Sequence, residues 1–207
     1  MEANWAAEHL QTIRTLMERS AIYRRALAPV MLLVGMLGCA AGGMGCAVNF
    51  DEGRSFVFYW VAVAAAALVA AFLLIRRQAL KDAEPFWTPP TRRIAEAMIP
   101  LFFLGAVVSA LALIPPKEGG SIVLCLPPIW MALYGCALHA AGFFAPRGIK
   151  WLGWVFLGGG TLLFLVVIFC GLRIPHIGNL MMGWGFGGLH LAYGIYLYFT
   201  EKRKNVA

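Results

Sequence analysis

Two histidines stand inside long uncharged runs: His139 in "YGCALHAAGFF" and His190 in "FGGLHLAYGIY". An imidazole can carry a proton near neutral pH, ligate a metal or haem iron, or join two helices by hydrogen bonds. Ionisable groups within apolar runs of a membrane protein face its interior and are functional candidates by default. Helical spacing supports that placement. Gly183, Gly187, His190 and Gly194 step by four, three and four residues, and Gly135, His139 and Gly142 by four and three. Each histidine therefore shares a face with glycines that let a neighbouring helix approach.

Three chemistries compete for these residues. The first is structural: a neutral imidazole bonded across a helix pair, with Tyr134, Tyr193, Thr161 and Ser109 as available partners. The second is haem ligation by His139 and His190. Depth speaks against it, because the two lie about five and ten residues from their membrane boundary, a mismatch of ~7 Å at the helical rise. The third is proton or solute handling at a polar intramembrane site made of Glu96, His139, His190, Tyr134 and Tyr193. Glu96 also has a simpler use, pairing with Arg92 or Arg93 one turn before it.

Other chemistry finds little support. The chain lacks a Ser–His–Asp set, an HExxH or a GxxxxGK[ST] stretch, and paired aspartates within its apolar runs. His9, His139, His176 and His190 do not form a metal-ligand pattern. These absences point to a protein that is not an enzyme and carries no cofactor or metal. The five cysteines, Cys39, Cys46, Cys125, Cys136 and Cys170, show no CxxC spacing. Buried thiols serve as small apolar groups, although Cys46, Cys125 and Cys170 share one predicted end of the bundle, where a disulfide between two of them is feasible.

The elements that would position these residues follow from charge. Of 207 residues, 61% are hydrophobic and only 13% charged, about half the charge of an average soluble domain. Six stretches contain no charge at all: 26–50, 55–75, 97–116, 119–146, 151–172 and 174–200. Each reaches the roughly 20 residues that cross a bilayer as a helix. The expected fold is all-α, a bundle of six transmembrane helices at about 26–48, 56–75, 94–114, 121–142, 151–172 and 178–200. A cytoplasmic segment, 1–25, precedes them and a basic tail, 201–207, follows. The opening 25 residues are too polar for a cleaved signal peptide.

Fourteen of the 17 lysines and arginines fall on one side of this arrangement, and only Arg54, Lys117 and Arg173 on the other. Positive loops stay in the cytoplasm, so both termini are expected there, in a bacterial inner membrane. The same rule, together with anionic headgroups, accounts for the net charge of +7 without nucleic acid. Residues 5–23 are amphipathic: Trp5, Leu10, Ile13, Leu16 and Met17 fall on one arc, Glu8, Gln11, Arg14, Glu18 and Arg19 on the other. That helix lies on the bilayer surface or docks a cytoplasmic partner or a second copy of the chain.

Packing signals are concentrated in spans 1 and 6. Gly38-xxx-Gly42 and Gly183-xxx-Gly187, continued by Gly194, are spaced for close helix approach. Span 5 holds the run Gly158–Gly160. Pro127–Pro128 is expected to break span 4, and Pro100 to kink span 3. The segments "LMERSAIYRRALAP", "LHAAGFFAPRGIKWLGW" and "FGGLHLAYGIYLYFTEK" resemble a group of six-span bacterial inner-membrane proteins. That resemblance implies the topology and a bacterial source, and brings no activity or site residue. The function expected is a non-enzymatic partner-binding, regulatory or structural membrane component. A small-solute or proton transporter is the alternative, and a haem-binding membrane protein the third reading.

Overall fold

The computed structural model describes residues 27–50, 53–83, 85–114, 122–170 and 174–204. The amphipathic segment expected over 5–23 and the last residues of the tail lie outside them. Among the described residues all regular structure is helical. Backbone polar groups have no partner in hydrocarbon, so long apolar segments must satisfy them internally, as helices do. Five helices are long and apolar enough to cross a membrane: Leu27–Val48, Gly53–Lys81, Pro89–Ala112, Val123–Ala141 and Gly148–Cys170.

In chain order we label the helices α1 (Leu27–Val48), α2 (Gly53–Lys81), α3 (Pro89–Ala112), α4 (Leu126–Ala141) and α5 (Arg147–Cys170). The sixth, α6, runs over 177–204 in three continuous segments. Ile177–Leu180 opens it, Met181–Gly188 winds as a wider π-helix, and Leu189–Lys204 returns to α geometry.

Local sequence explains most boundaries. Asn49 closes α1 in the left-handed region at φ 60°, a conformation asparagine tolerates. Pro89 and Pro90 stand in the first turn of α3, where a missing N–H costs nothing. Pro100 lies within α3, which continues through it. The expected break at Pro127–Pro128 is not found. A 3₁₀ turn, Ile122–Cys125, leads directly into α4, and both prolines occupy its first turn. They start the helix rather than interrupt it. Helix α2 also outruns its expected end at 75, continuing through Arg76 and Arg77 to Lys81.

Two glycine seams set the packing. On the first, α1 and α6 run antiparallel. A Cβ placed on Gly38 would lie 2.8 Å from Cα of Gly187, and one on Gly42 would lie 2.6 Å from Cα of Gly183. Gly35 and Gly194 extend the contact to the backbone of Leu191 and Leu32. On the second, α4 and α5 form an antiparallel hairpin. Gly135 meets the backbone of Leu157 and Gly153, and Gly160 that of Ala132 and Pro128. Of the glycine run in α5, only Gly160 is pressed against backbone; Gly158 faces open space.

The core divides along the bundle axis. One cluster gathers Ala28, Met131, Leu138, Ile149, Phe156 and Leu197, and the other Phe56, Val57, Trp60, Val123, Leu126 and Met182. Phe186 packs against both. Helices α2 and α3 are peripheral. Only 6% of the most apolar stretch of each is buried within the chain, against 44% for α4. Helix α2 meets the bundle mainly through Phe56, Val57 and Trp60 in its first turns; Phe58, Leu68, Val69, Phe72 and Leu73 face outward.

Candidate functional site

His190 is 1% exposed, the most buried ionisable side chain among the described residues. Both ring nitrogens have partners. Nδ1 lies 2.7 Å from the carbonyl oxygen of Phe186, one turn earlier on α6. Nε2 lies 2.8 Å from the hydroxyl of Tyr134 on α4. A carbonyl only accepts, so Nδ1 must carry the hydrogen. In the neutral ring Nε2 is then an acceptor, and the Tyr134 hydroxyl donates to it. The bond partners thus assign one tautomer.

Aromatic rings wall in this pair. Phe156 and Tyr134 lie 5.2 and 5.4 Å from the imidazole, centroid to centroid, and Phe186 is stacked at 6.4 Å. Tyr134 also meets Phe156 edge-on at 5.1 Å and stacks with Phe102 of α3. Four helices therefore contribute to one locus. Its polar groups are turned on one another, an arrangement that fixes helix rotation. The helix widens just before His190. The π segment ends at Gly188, and the Phe186 carbonyl used by Nδ1 belongs to it. Such segments recur where a side chain must be aimed.

The other candidates are placed elsewhere. His139 lies between Trp154, at 5.2 Å, and Phe143, at 5.6 Å; its ring neighbours and those of His190 do not overlap. Its Nδ1 is buried without a hydrogen-bond partner. Glu96 accepts from Nε of Arg92 at 2.7 Å on an exposed face. Tyr193 packs against the cluster that holds Phe156 and Leu197, stacks with Tyr196 and sets its hydroxyl over Gly148. The five residues of the expected polar site thus divide: Tyr134 and His190 meet, whereas Glu96 and His139 have other surroundings. An axial haem ligand would need the lone pair on His190 Nε2, which the Tyr134 hydroxyl occupies. Among the described residues no three His, Cys, Asp or Glu side chains come together as a metal site. No disulfide joins any of the five cysteines in the structure.

A second polar locus has no counterpart in the sequence reading. Asn179, fully buried near the start of α6, accepts from Nε1 of Trp60 at 2.8 Å and donates to the carbonyl of Phe50 at 3.1 Å. The indole can only donate and the carbonyl can only accept, which orients the amide. Gly45 makes room for it, since a Cβ there would lie 2.6 Å from Asn179 Oδ1. Nearby, Tyr59 donates to the carbonyl of Ala41 at 2.6 Å. The bonds of Asn179 tie α2 and the α1–α2 turn to α6, and that of Tyr59 ties α2 to α1. An amide inside an uncharged run was the one available signal.

Comparison with protein-family models, with curated proteins and with solved structures finds no match to this chain.

Proposed function

We propose that the chain is a six-span, non-enzymatic component of a bacterial inner membrane, with both termini in the cytoplasm. In this reading it works by packing against a partner or a second copy. The sixth span is α6. Its antiparallel seam with α1 runs from Leu32 to Gly42 on one side and from Gly183 to Gly194 on the other, so the two helices share the same depth. Orientation follows from the fourteen cations on one side. One observation carries the functional reading. The most buried ionisable group among the described residues, His190, has both nitrogens committed to partners within the chain, while most of the apolar stretch of α2, and part of that of α3, faces outward. Polar atoms act as fasteners inside, and surface for neighbours lies outside. The test pairs thermal melting in detergent with a cellular phenotype for His190→Ala and Tyr134→Phe. Loss of melting temperature in step with loss of phenotype supports the reading. Wild-type melting with the phenotype gone overturns it.

His139 favours a second reading, a proton or small-solute transporter, because its buried Nδ1 lacks a partner. Proteoliposome flux that His139→Ala abolishes, with melting unchanged, would establish that alternative.

A further inference from the structure

Two cations from different helices rest on aromatic rings of the α4–α5 turn. Arg93, near the start of α3, sets its guanidinium 5.9 Å from the ring centroid of Phe144. Lys150, in the first turns of α5, holds its ammonium 3.4 Å from that of Phe143. The lysine stem lies across Gly142, where a Cβ would come within 2.5 Å of its Cγ. Phe143 and Phe144 are consecutive, so both charges rest on rings of the same turn. Neither cation has a carboxylate in ion-pair range among the described residues. Glu96, three residues beyond Arg93, is paired with Arg92. Beside this turn, Phe143, Trp151 and Trp154 are each more than half exposed. Below it, Val155, Leu162 and Leu165 continue an outward apolar strip along α5.

We infer that Arg93 and Lys150 bind the phosphate of an anionic glycerophospholipid, whose acyl chains lie along the exposed face of α5. The inference rests on reading these helices as membrane spans. Charge complementarity selects the headgroup: two cations lack an anion at the level where spans meet water. Basic recesses between spans bind anionic headgroups in this way. The flanking rings select a lipid over free phosphate, because they supply an apolar wall leading into the bilayer. Resting on aromatic faces, both cations are already oriented before a ligand arrives.

The test uses the full-length chain, delipidated in mild detergent. It is titrated with phosphatidylglycerol, with phosphatidylcholine of the same acyl chains, and with inorganic phosphate, and bound lipid is resolved by native mass spectrometry. Phosphatidylglycerol should bind more tightly than phosphatidylcholine. Each of Arg93→Gln and Lys150→Gln should weaken it roughly 5-fold, the equivalent of about 1 kcal/mol per interfacial charge. Arg76→Gln with Arg77→Gln, at the exposed end of α2, should leave it unchanged. Equal weakening by both pairs of substitutions would mean generic attraction to a basic face and would overturn the site. So would wild-type affinity in the Arg93/Lys150 double variant, or displacement of lipid by inorganic phosphate. Failure here leaves the proposed packing role standing, since that role is read from melting and phenotype.

Discussion

The hydroxyl of Tyr134 and Nε2 of His190 meet across 2.8 Å, and this bond joins α4 to α6 within an aromatic wall. Removing the donor by Tyr134→Phe strands a buried nitrogen, at a cost of about 1–3 kcal/mol. Single bonds of this kind between spans average roughly 0.6 kcal/mol and reach about 1.7. A double-mutant cycle with Tyr134→Phe and His190→Leu, read by unfolding in detergent, should therefore show coupling within that range. Strict additivity would mean that the two side chains do not stabilise one another.

The glycine seams predict a sharp contrast between residues of one type. A methyl group on Gly187 would run into the backbone nitrogen of Cys39, whereas one on Gly158 would meet nothing within 4 Å. Gly187→Ala should destabilise by about 1–3 kcal/mol through overpacking. Gly158→Ala should cost nothing, and relief of the glycine penalty in a helix can return up to about 1 kcal/mol. Equal melting temperatures for the two variants would contradict the α1–α6 contact.

Asn179 carries a third expectation. Asn179→Leu leaves the Trp60 indole N–H and the Phe50 carbonyl without this partner and presses a branched side chain on Gly45. A loss of about 1–3 kcal/mol is expected from the stranded polar groups. Protease sensitivity of the α1–α2 turn should rise in parallel, because Phe50 belongs to that turn. An unchanged cleavage rate would show that the amide does not hold it.

The absence of a disulfide gives a fourth. Reductant should leave both the gel mobility and the melting temperature of the purified protein unchanged. A downward shift in melting would reveal a bridge among Cys46, Cys125 and Cys170, contrary to the thiols seen in the structure.

What could be read from the sequence was whatever depends on spacing along one helix. Gly38, Gly42, Gly183 and Gly187 declare a close-packed face through their four-residue steps, although nothing in the steps says that the two motifs meet each other. Pro127–Pro128 differs from the expected break because a proline pair looks the same inside a helix and in its first turn; only the position of the start, set by the preceding 3₁₀ turn, separates the cases. For His190 the sequence offers Tyr134, Tyr193, Thr161 and Ser109 alike. Choosing among them needs the rotation of α4 about its axis, which is a tertiary quantity. Ser109 in fact accepts from Trp130 and donates within α3. The role of Asn179 is hidden in the sequence for a similar reason, since its partners lie 119 and 129 residues away in the chain.

The seam between α1 and α6 also constrains the order of events during synthesis. The face of α1 that holds Gly38 and Gly42 emerges long before Gly183 and Gly187 exist. At ~5–20 residues per second, that face waits on the order of ten seconds beside whatever the insertion machinery and the surrounding lipid supply. A chain halted after α5 would carry the seam permanently open, inviting pairing with another nascent copy or recognition by quality-control proteases. Arrival of α6 is thus the step that closes the glycine face of α1.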